Sequence, residues 1–465
     1  MPNLRVKTVP IDLGNRHLAH LLPDADVVAW QHGNDGMVGW GCAWREDFPA
    51  SHQFPAARHA WEALVASASI TDSVNAYGTG LVAFGSFSFD PHSAAGGALV
   101  VPRVIVGRCG KTAWLTTVDC DVSPTTILSA SDDAIAEVAA PPLEPHAPAN
   151  LVEIGDLRDG PVWASAVEAV LERIAAGAAE KVVLARQVVA TAESPLSPTW
   201  LLQRLNSRFN TTWNYAIDSL VGATPEMLVR VKGGRVESTV LAGTIPLPLS
   251  ATETQIDSLA TQLINSDKDL VEHAHAVDSV ANALAPVCIQ LKVVGPEILE
   301  LPNILHLVSD VSGTYANPGT AVTSLLLAEL LHPTAAVCGT PPAEALEIIR
   351  EFEDFDRGRY SGPVGWINAS GDGEWGIALR CAQLAGPQAH LFAACGIVTG
   401  SQPGVELMES EAKLNPLRWA LAGDNPAVAD PGQDVQLATV LENEAAAGLV
   451  ISGETSHHKL RVVRD

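Results

Sequence analysis

The C-terminal half of the chain contains three consecutive segments of strand length that are joined by short turns. Residues 363–368, 375–383 and 390–398 are rich in apolar side chains, and the turn sequences SGDG and AGPQ separate them. Turns of this length connect antiparallel neighbours, whereas parallel strands need a crossover of a dozen or more residues. Strand and helix patterns elsewhere do not alternate regularly, so the sequence predicts an α+β fold with large antiparallel sheets.

Other segments extend this prediction. Residues 1–150 are β-rich, and residues 181–191, KVVLARQVVAT, form a strand that is apolar on both faces and therefore lies inside a sheet. An apolar stripe with helical spacing predicts a helix over 161–176 and one long helix over 256–284. The glycine pair at 233–234 predicts a hairpin turn between two strands.

Composition excludes several classes of partner. The formal net charge of −25 over 465 residues argues against nucleic acid or an anionic membrane as partner. The seven cysteines include no CxxC pair, which fits reduced thiols in a cytoplasmic protein. Among them, Cys338, Cys381 and Cys395 lie in apolar stretches and are interpreted as small core residues, not nucleophiles. The N-terminus lacks the apolar stretch of a signal peptide and no run is long enough for a membrane span, so we expect a cytoplasmic protein. No heptad or unusual apolar surface stripe is visible, so we expect a monomer.

The segment 391–413, LFAACGIVTGSQPGVELMESEAK, runs from an apolar strand through a turn into a short helix. Glu406, Glu409 and Lys413 follow at helical spacing, so a helix places all three on one face. This pattern fits a solvated acidic helix, or a metal site beside an anion site. The segment alone favours the solvated helix, and partners elsewhere in the chain reverse that preference.

Two further residues have the chemistry of an acid–base pair. Lys181 is one of only eight lysines and opens the apolar strand 181–191, where loss of solvation lowers the pKa of an ammonium and suits it to act as a general base. The alternative is a strand-end lysine that reaches water. Glu226, in GATPEML, lies at the mouth of a strand and is either a carboxyl held protonated as a general acid or an ordinary edge residue.

Charged residues on other elements complete the candidates. Glu272, in SDKDLVEHAH, points away from the apolar stripe and is either solvated or an Mg²⁺ ligand paired with Glu409. The neighbouring His273 and His275 are two residues apart on a helix and cannot chelate one ion together, so no zinc site is predicted. Arg380 ends the alternating run GEWGIALR and needs a partner, either a substrate carboxylate or an internal Asp or Glu.

Taken together, these segments resemble the chorismate-utilising enzymes, and within them the isochorismate synthases. Eight stretches carry the resemblance in order across roughly residues 160–421: KVVLAR, GATPEML, LAGT, SDKDLVEH, LHPTAAVCGTP, RGRYSGPVGW, GEWGIALRCAQL and the segment 391–413. The resemblance implies a single catalytic domain, assigned to residues 1–423. It implies two antiparallel sheets in a pseudo-twofold sandwich, with helices outside and the site in a cleft. Residues 424–465 are assigned to an extension without a role.

The resemblance also implies a reaction, the Mg²⁺-dependent conversion of chorismate to isochorismate for menaquinone, siderophore or salicylate biosynthesis. Lys181 matches the base that activates water to attack C2, and Glu226 matches the acid that protonates the departing C4 hydroxyl. Glu272 and Glu409 match the Mg²⁺ ligands, with Glu406 close by. Arg380 and Lys413 match cations near the substrate carboxylates, and His306 matches a histidine near the ring. The positions that match backbone donors around the carboxylates are Gly243, Thr244 and Gly396.

The same comparison weighs the alternatives. Relatives that form anthranilate carry Gln where this chain has Lys181 and use ammonia, so no amidotransferase subunit is expected. The sequence AAVC at 335–338 looks like isochorismate synthases and not like the salicylate-forming branch. A salicylate synthase, which goes on to eliminate pyruvate, and a non-catalytic chorismate-binding protein remain as alternatives. One departure is Ala394, where the family usually has Gly, and its methyl group is expected to crowd the pocket.

Overall fold

The computed structural model describes residues 2–24, 26–120, 138, 145–156, 160–248, 251–315, 322–423 and 461–462. Most of the proposed extension, 424–460 and 463–465, lies outside the described residues, so its separation from the catalytic domain stays a prediction. The helices of the described part are α1 (Gln53–Ser67), α2 (Gly160–Ala175), α3 (Pro198–Arg208), α4 (Glu253–Ile264), α5 (Asp267–Leu284), α6 (Ser324–Leu331), α7 (Pro342–Phe352) and α8 (Pro403–Ala422).

The larger sheet contains thirteen of the described strands. They are β1 (Leu4–Pro10), β2 (Val27–His32), β3 (Asp35–Trp40), β5 (Ser69–Asp72), β8 (Val104–Cys109), β9 (Thr112–Cys120), β10 (Val152–Asp156), β11 (Lys181–Thr191), β12 (Trp213–Ile217), β13 (Leu220–Thr224), β18 (Gly339–Thr340), β21 (Cys381–Ala385) and β22 (Gln388–Val398). Their order is β10-β11-β22-β21-β13-β12-β2-β3-β8-β9-β1-β5, with β18 paired to β11. As predicted, β11 lies inside the sheet.

The smaller sheet contains ten described strands. They are β4 (Trp44–Phe48), β6 (Val82–Ser86), β7 (Gly97–Val101), β14 (Met227–Lys232), β15 (Arg235–Pro246), β16 (Cys288–Leu301), β17 (Ile304–Tyr315), β19 (Pro363–Asn368), β20 (Gly373–Ile377) and β23 (Arg461–Val462). Their order is β23-β16-β17-β15-β14-β20-β19-β6-β7-β4. Within the described residues, every pairing is antiparallel except β1 with β5 and β16 with β23. Both sheets draw strands from the N-terminal and the C-terminal parts of the chain, which confirms one α+β domain.

The two sheets face each other across an aromatic core. On β6, Val82 and Phe84 belong to the core that also contains Trp30 of the larger sheet and Trp366 of the smaller one. The alternate residue Ala83 faces the opposite side, in the core that includes residues of α1, α2 and α5 to α7. This alternation follows from the two-residue period of a strand and places helices outside the sheets. In addition, Trp30 Nε1 donates to Glu374 Oε2 across the core at 2.7 Å.

The predicted strand 375–383 is wrong as a single element. Its first part is β20, which pairs with β19 and β14 in the smaller sheet, and its second part is β21, which pairs with β13 and β22 in the larger sheet. The chain crosses between sheets at 378–380, where Arg380 has φ of 47°. A second segment of the protein, which lies next to the first, also crosses between the sheets. It runs from β13 to β14 through Pro225 and Glu226. Two paired crossings therefore lie side by side.

The predicted helix 256–284 is also wrong as a single element, because α4 ends at Ile264 and α5 begins at Asp267. Ser266 caps α5, and its Oγ accepts from the backbone N–H of Asp269 at 3.3 Å. A serine at this position satisfies a helix N–H that would otherwise lack a partner, which favours a new helix start. The hairpin at Gly233 and Gly234 is confirmed between β14 and β15. None of the described helices is long and apolar enough to cross a membrane.

Candidate active site

The sequence-predicted residues converge on one cavity between the two sheets. Strands β11 and β22 of the larger sheet, strands β15 and β17 of the smaller sheet, helices α5 and α8 and both crossings contribute to it. The predicted residues in its wall are Glu226, Thr244, Glu272, His306, Arg380, Gly396 and Lys413. Two larger cavities, of about 560 and 650 Å³, lie elsewhere and are lined by none of these residues. The chemistry of the side chains, and not cavity size, therefore locates the candidate site.

Lys181 is the first residue of β11 and is fully buried, with 0% of its side chain exposed. Its Nζ lies 3.4 Å from Glu272 Oε1 and has no hydrogen-bond partner among the described residues. Burial lowers the pKa of this ammonium, and the nearby Glu272 carboxylate opposes the shift only in part. The alternative of a lysine that reaches water is wrong, and the neutral amine is favoured relative to an exposed lysine.

Glu226 lies at the crossing between β13 and β14 and is 3% exposed. Burial raises the pKa of its carboxyl to about 8, although a backbone hydrogen bond from Leu241 and the charges of Lys181 and Arg380 work in the opposite direction. The edge-residue alternative is wrong. Glu226 holds a proton near neutral pH and is suited to donate it.

Three buried carboxylates form ion pairs with three lysines at one end of the cavity. The pairs are Lys181 with Glu272, Lys268 with Glu406 at 2.8 Å, and Lys413 with Glu409. Helices α5 and α8 bring the carboxylates together, because Glu272 lies on the former and the other two on the latter. The predicted face of Glu406, Glu409 and Lys413 is thus confirmed, and the solvated-helix alternative is wrong because both carboxylates are buried.

The carboxylates differ in their electrostatic surroundings. Burial, with a further contribution from the charge of Glu409, raises the pKa of Glu406 to about 7, and Lys268 opposes this shift. Burial alone would also raise the pKa of Glu272, but the lysine charges, with Lys181 foremost, hold it below its usual value. The site therefore retains negative charge at Glu272, while Glu406 titrates close to neutral pH.

The carboxylate group fits a hard divalent cation. Mg²⁺ takes carboxylate oxygens and keeps several waters, and Glu272, Glu406 and Glu409 supply such oxygens from two helices. Glu406 is 1% exposed, and its Oε2 has no hydrogen-bond partner among the described residues. A buried carboxylate oxygen without a partner is costly, and a bound cation would satisfy it.

Sequence reasoning missed Lys268, which the structure places on Glu406. Two signals pointed to it: lysine is scarce in this chain, and Lys268 stands four residues before Glu272 on the same helix. It also missed Tyr360, whose ring lies in the cavity wall and stacks on Phe392 at 5.0 Å between centroids. That tyrosine stands in the quoted stretch RGRYSGPVGW, which was the available signal, but its place in the cavity wall depends on tertiary packing.

Arg380, His306 and Thr244 form a hydrogen-bonded chain. Arg380 Nη2 donates to His306 Nε2 at 2.9 Å, and His306 Nδ1 lies 3.0 Å from Thr244 Oγ1. A guanidinium can only donate, so Nε2 is the acceptor and the ring proton lies on Nδ1, which donates to Thr244. Burial and then the charge of Arg380 hold the pKa of His306 well below its usual value. Of the two alternatives for Arg380, no internal Asp or Glu pairs with it among the described residues, and its hydrogen bond goes to a neutral imidazole. A substrate carboxylate as its partner stays a prediction.

The two predicted glycines allow close approaches around the site. A Cβ at Gly396 would lie 2.1 Å from Glu272 Oε1, so only glycine lets that carboxylate reach Lys181. Gly243 has φ of 79°, and a Cβ there would lie 3.1 Å from Cβ of Asp269 on α5. Their predicted role as backbone donors to a substrate stays a prediction. Ala394 lies in the cavity wall, and its carbonyl accepts from Lys413 Nζ at 2.9 Å.

Comparison with known sequences gives a consistent result. A family model described as chorismate binding enzyme matches residues 22–422, a range that contains every residue predicted for the site. Isochorismate synthase DhbC of Bacillus subtilis (strain 168) is 39% identical over 275 residues, which cover 57% of this chain and 68% of that protein. Isochorismate synthase MenF of the same organism is 32% identical over 361 residues, which cover 74% of this chain and 75% of that protein.

Comparison with solved structures agrees on the fold. The structure of MenF, the menaquinone-specific isochorismate synthase from Escherichia coli, superposes with a TM-score of 0.72 at 24% sequence identity. The superposition covers 90% of this chain and 95% of that chain. At this identity the likeness shows a shared fold, with the two sheets and outer helices that the sequence predicted.

Proposed function

Because the chain belongs to the chorismate-binding enzyme family, we propose that it is an isochorismate synthase, an isomerase that converts chorismate to isochorismate. Two relatives that are isochorismate synthases match the chain over two thirds or more of their own length. We further propose that it works as a cytoplasmic monomer without an amidotransferase subunit.

The observation that carries this proposal is the pairing of a buried lysine with a protonated buried carboxyl at one cavity. Burial lowers the pKa of Lys181 and raises that of Glu226, so each group is shifted toward the protonation state that its role requires. Adding water at C2 while the C4 hydroxyl leaves needs a base to take a proton and an acid to give one. Lys181 with a neutral amine supplies the first function and Glu226 supplies the second.

The proton balance follows from these states. Lys181 Nζ takes a proton from water as the oxygen of that water bonds to C2 of the ring. The ring double bonds shift, the C4–O bond breaks, and Glu226 protonates the departing oxygen so that it leaves as water and not as hydroxide. At the end Lys181 is protonated and Glu226 is ionised, and exchange with solvent resets both groups. The ion pair with Glu272 stabilises the ammonium that forms on Lys181.

Magnesium is proposed to bind at Glu272 and Glu409, with Glu406 close by, where it would neutralise the ring carboxylate of the substrate. The substrate is a dianion and the protein is strongly acidic, so local cations must hold it. Arg380 and Lys413 lie in the cavity wall and are proposed to receive its carboxylates. The neutral His306 holds the guanidinium of Arg380 in place without adding charge.

The cavity is small, at about 50 Å³, which is room for about one or two waters. A ring with two carboxylates therefore requires side chains to move when it enters. We propose that Arg380 and Lys413 move, because a substrate carboxylate could take the place of the protein group that each one contacts. These groups are the imidazole of His306 for Arg380 and the carbonyl of Ala394 for Lys413. We propose that the product serves menaquinone or siderophore biosynthesis; the first route is supported by the similar MenF structure from Escherichia coli, which is that of a menaquinone-specific isochorismate synthase.

The test is incubation of the purified protein with chorismate and Mg²⁺, with products separated by chromatography and identified by NMR. Isochorismate as the sole product is the expected result. Salicylate together with pyruvate would instead identify a salicylate synthase and show that the sequence at 335–338 misled. Unchanged chorismate that still binds, detected by calorimetry, would contradict the enzyme proposal and leave a chorismate-binding protein.

A further inference from the structure

A cysteine thiol lies inside the carboxylate cluster. Cys395 is on β22, opposite Leu184 of β11, and 0% of its side chain is exposed. Its Sγ–H donates to the backbone carbonyl of Glu406 at 3.2 Å, which ties the strand to the first turns of α8. The thiol therefore has a fixed position beside Glu406, the first carboxylate on that helix.

The cluster has the dimensions of a metal site. Sγ of Cys395 and one carboxylate oxygen each of Glu406 and Glu409 lie within 4.8 Å of one another, and all three residues are buried. Ligands at about 2.0–2.3 Å from a tetrahedral zinc ion are roughly 3.3–3.8 Å apart, so side-chain rotations of about 1 Å would bring these atoms into range. Independently, Oε2 of Glu406 is buried without a hydrogen-bond partner among the described residues, and a cation bound at this place would satisfy it.

The donor set differs from one built for magnesium alone. Mg²⁺ prefers oxygen ligands and near-octahedral geometry, whereas a thiolate with carboxylates suits softer ions such as Zn²⁺. A thiolate would add a negative charge to this cluster. The two carboxylates of the cluster are each paired with a lysine, Glu406 with Lys268 and Glu409 with Lys413.

We propose that Cys395, Glu406 and Glu409 form a binding site for a thiophilic divalent cation such as Zn²⁺, and that this ion excludes Mg²⁺ from the same carboxylates. As the metal–sulfur bond forms, the thiol proton leaves to solvent and the thiolate becomes a ligand. The binding step stands on the geometry alone. Its consequence, inhibition of turnover by Zn²⁺, rests on the proposed function, because it requires that Mg²⁺ at these carboxylates supports the reaction.

The binding test uses Co²⁺ as a spectroscopic stand-in for Zn²⁺, since a Co²⁺–thiolate bond absorbs in the near ultraviolet. The native chain is titrated with Co²⁺ beside Cys395→Ala and the matched control Cys338→Ala. Cys338 is likewise buried and donates to a backbone carbonyl, that of Pro342, but it lies outside the cluster. The exposed Cys42, Cys109 and Cys120 contribute equally to all three proteins, so the difference between them isolates Cys395.

The expected result is a thiolate band that is equally strong in the native chain and in Cys338→Ala and is reduced to the contribution of the other cysteines in Cys395→Ala. Displacement of Co²⁺ by Zn²⁺ should then give a Zn²⁺ affinity that falls in Cys395→Ala by more than about 100-fold, the upper end of what loss of an outer-sphere partner costs. An equal band in Cys395→Ala, or none in the native chain, would overturn the proposal. If circular dichroism shows that Cys395→Ala does not fold, Cys395→Ser replaces it, because the smaller hydroxyl keeps the donor but binds Zn²⁺ weakly.

The consequence is measured separately as inhibition of the Mg²⁺-supported reaction by Zn²⁺, with each variant normalised to its own uninhibited rate. The native chain and Cys338→Ala should need less Zn²⁺ for half inhibition than Cys395→Ala. Equal sensitivity of all three would refute the exclusion of Mg²⁺ while the absorbance result still decides the binding site. A native chain that forms no isochorismate would contradict the proposed function, again without changing the outcome of the Co²⁺ titration.

Discussion

Glu226 and Arg380 occupy two adjacent crossings at which the chain passes between the sheets. The backbone N–H of Ile377, just before the second crossing, donates to the carbonyl of Glu226, and the N–H of Ala223, just before the first, donates to the carbonyl of Arg380. These bonds hold both residues at the cavity, where the regular sheet ladders are interrupted. A backbone that leaves a sheet frees side chains to point into the space between the layers, which explains why an acid and a cation are found there.

The first prediction concerns Lys181. Lys181→Ala removes the proposed base, and we expect kcat for isochorismate formation to fall by about 10²–10⁴-fold. Circular dichroism should show a folded protein. The control Lys292→Ala changes an exposed lysine and should keep the native rate. Native turnover by Lys181→Ala would remove this residue from the mechanism.

The second prediction concerns the stability of Glu226→Gln. Burial raises the pKa of Glu226 from 4.5 to about 8, so the folded protein binds this proton more tightly than the unfolded chain does. Its contribution to the free energy of unfolding is therefore complete below pH 4.5 and is lost as pH rises through about 8. Gln has no proton to lose, so above that pH the variant should be more stable than the native chain, by on the order of a few kcal/mol.

Urea unfolding at about pH 5 and about pH 9 measures this difference. The variant should gain relative to the native chain only at the higher pH, and it should have lost turnover at both. Glu62→Gln, which changes an exposed carboxyl, is the control and should follow the native pH dependence. A Glu226→Gln protein with the same stability difference at both pH values would argue against a raised pKa.

The third prediction concerns the pH dependence of kcat/KM. Lys181 must be deprotonated and Glu226 protonated, so the rate should fall at low pH as the lysine gains a proton. It should also fall at high pH, near about 8, as Glu226 loses its proton. Glu226→Asp should move the alkaline limb to lower pH, because Asp has the lower intrinsic pKa. A native profile that stays flat above pH 8 would be inconsistent with Glu226 as the acid.

The fourth prediction concerns the metal. EDTA should stop the reaction and Mg²⁺ should restore it, because Glu272 and Glu409 are proposed to hold the ion. Isothermal calorimetry should show weaker Mg²⁺ binding to Glu409→Gln than to the control Glu411→Gln. The native Glu411 lies on the same helix but pairs with Arg186 and Arg418, outside the proposed metal site. Full activity of a metal-stripped sample would contradict the assignment.

The fifth prediction concerns Ala394, whose carbonyl holds Lys413 and whose side chain lies in the cavity wall. Ala394→Gly removes a methyl group from a small cavity, so we expect a lower KM for chorismate, by up to about tenfold, with kcat less affected. The adjacent Ala393 faces the opposite core, and Ala393→Gly is the matched control with no such effect. An unchanged KM in Ala394→Gly would show that the alanine does not crowd the substrate.

The sequence predicted the elements whose signals are local. The strand at Lys181, the hairpin at Gly233 and the helix face of Glu406, Glu409 and Lys413 all appear as expected, since a period of two or of 3.6 residues is visible along the chain. It also supplied the ordered motifs that carry the resemblance, and every residue chosen from them lies in or beside one cavity.

Other features were outside the reach of local patterns. The alternating run through 375–383 continues without a break in the sequence, yet its two parts pair with different sheets, because strand partners far along the chain decide where a strand ends. Likewise, the imidazole of His306 as partner of Arg380 depends on β17 lying beside the second crossing, a relation between residues 74 positions apart.

By itself, then, the sequence determined the strand and helix periodicities, the α+β class and the motif residues, because these depend on neighbours within a few positions. Tertiary structure alone decided the protonation of Glu226, the buried state of Lys181 and the pairing of three lysines with three carboxylates. All three depend on desolvation and on charges that the fold brings together from distant segments. Desolvation and such charge pairs cannot be predicted from residues that are adjacent along the chain.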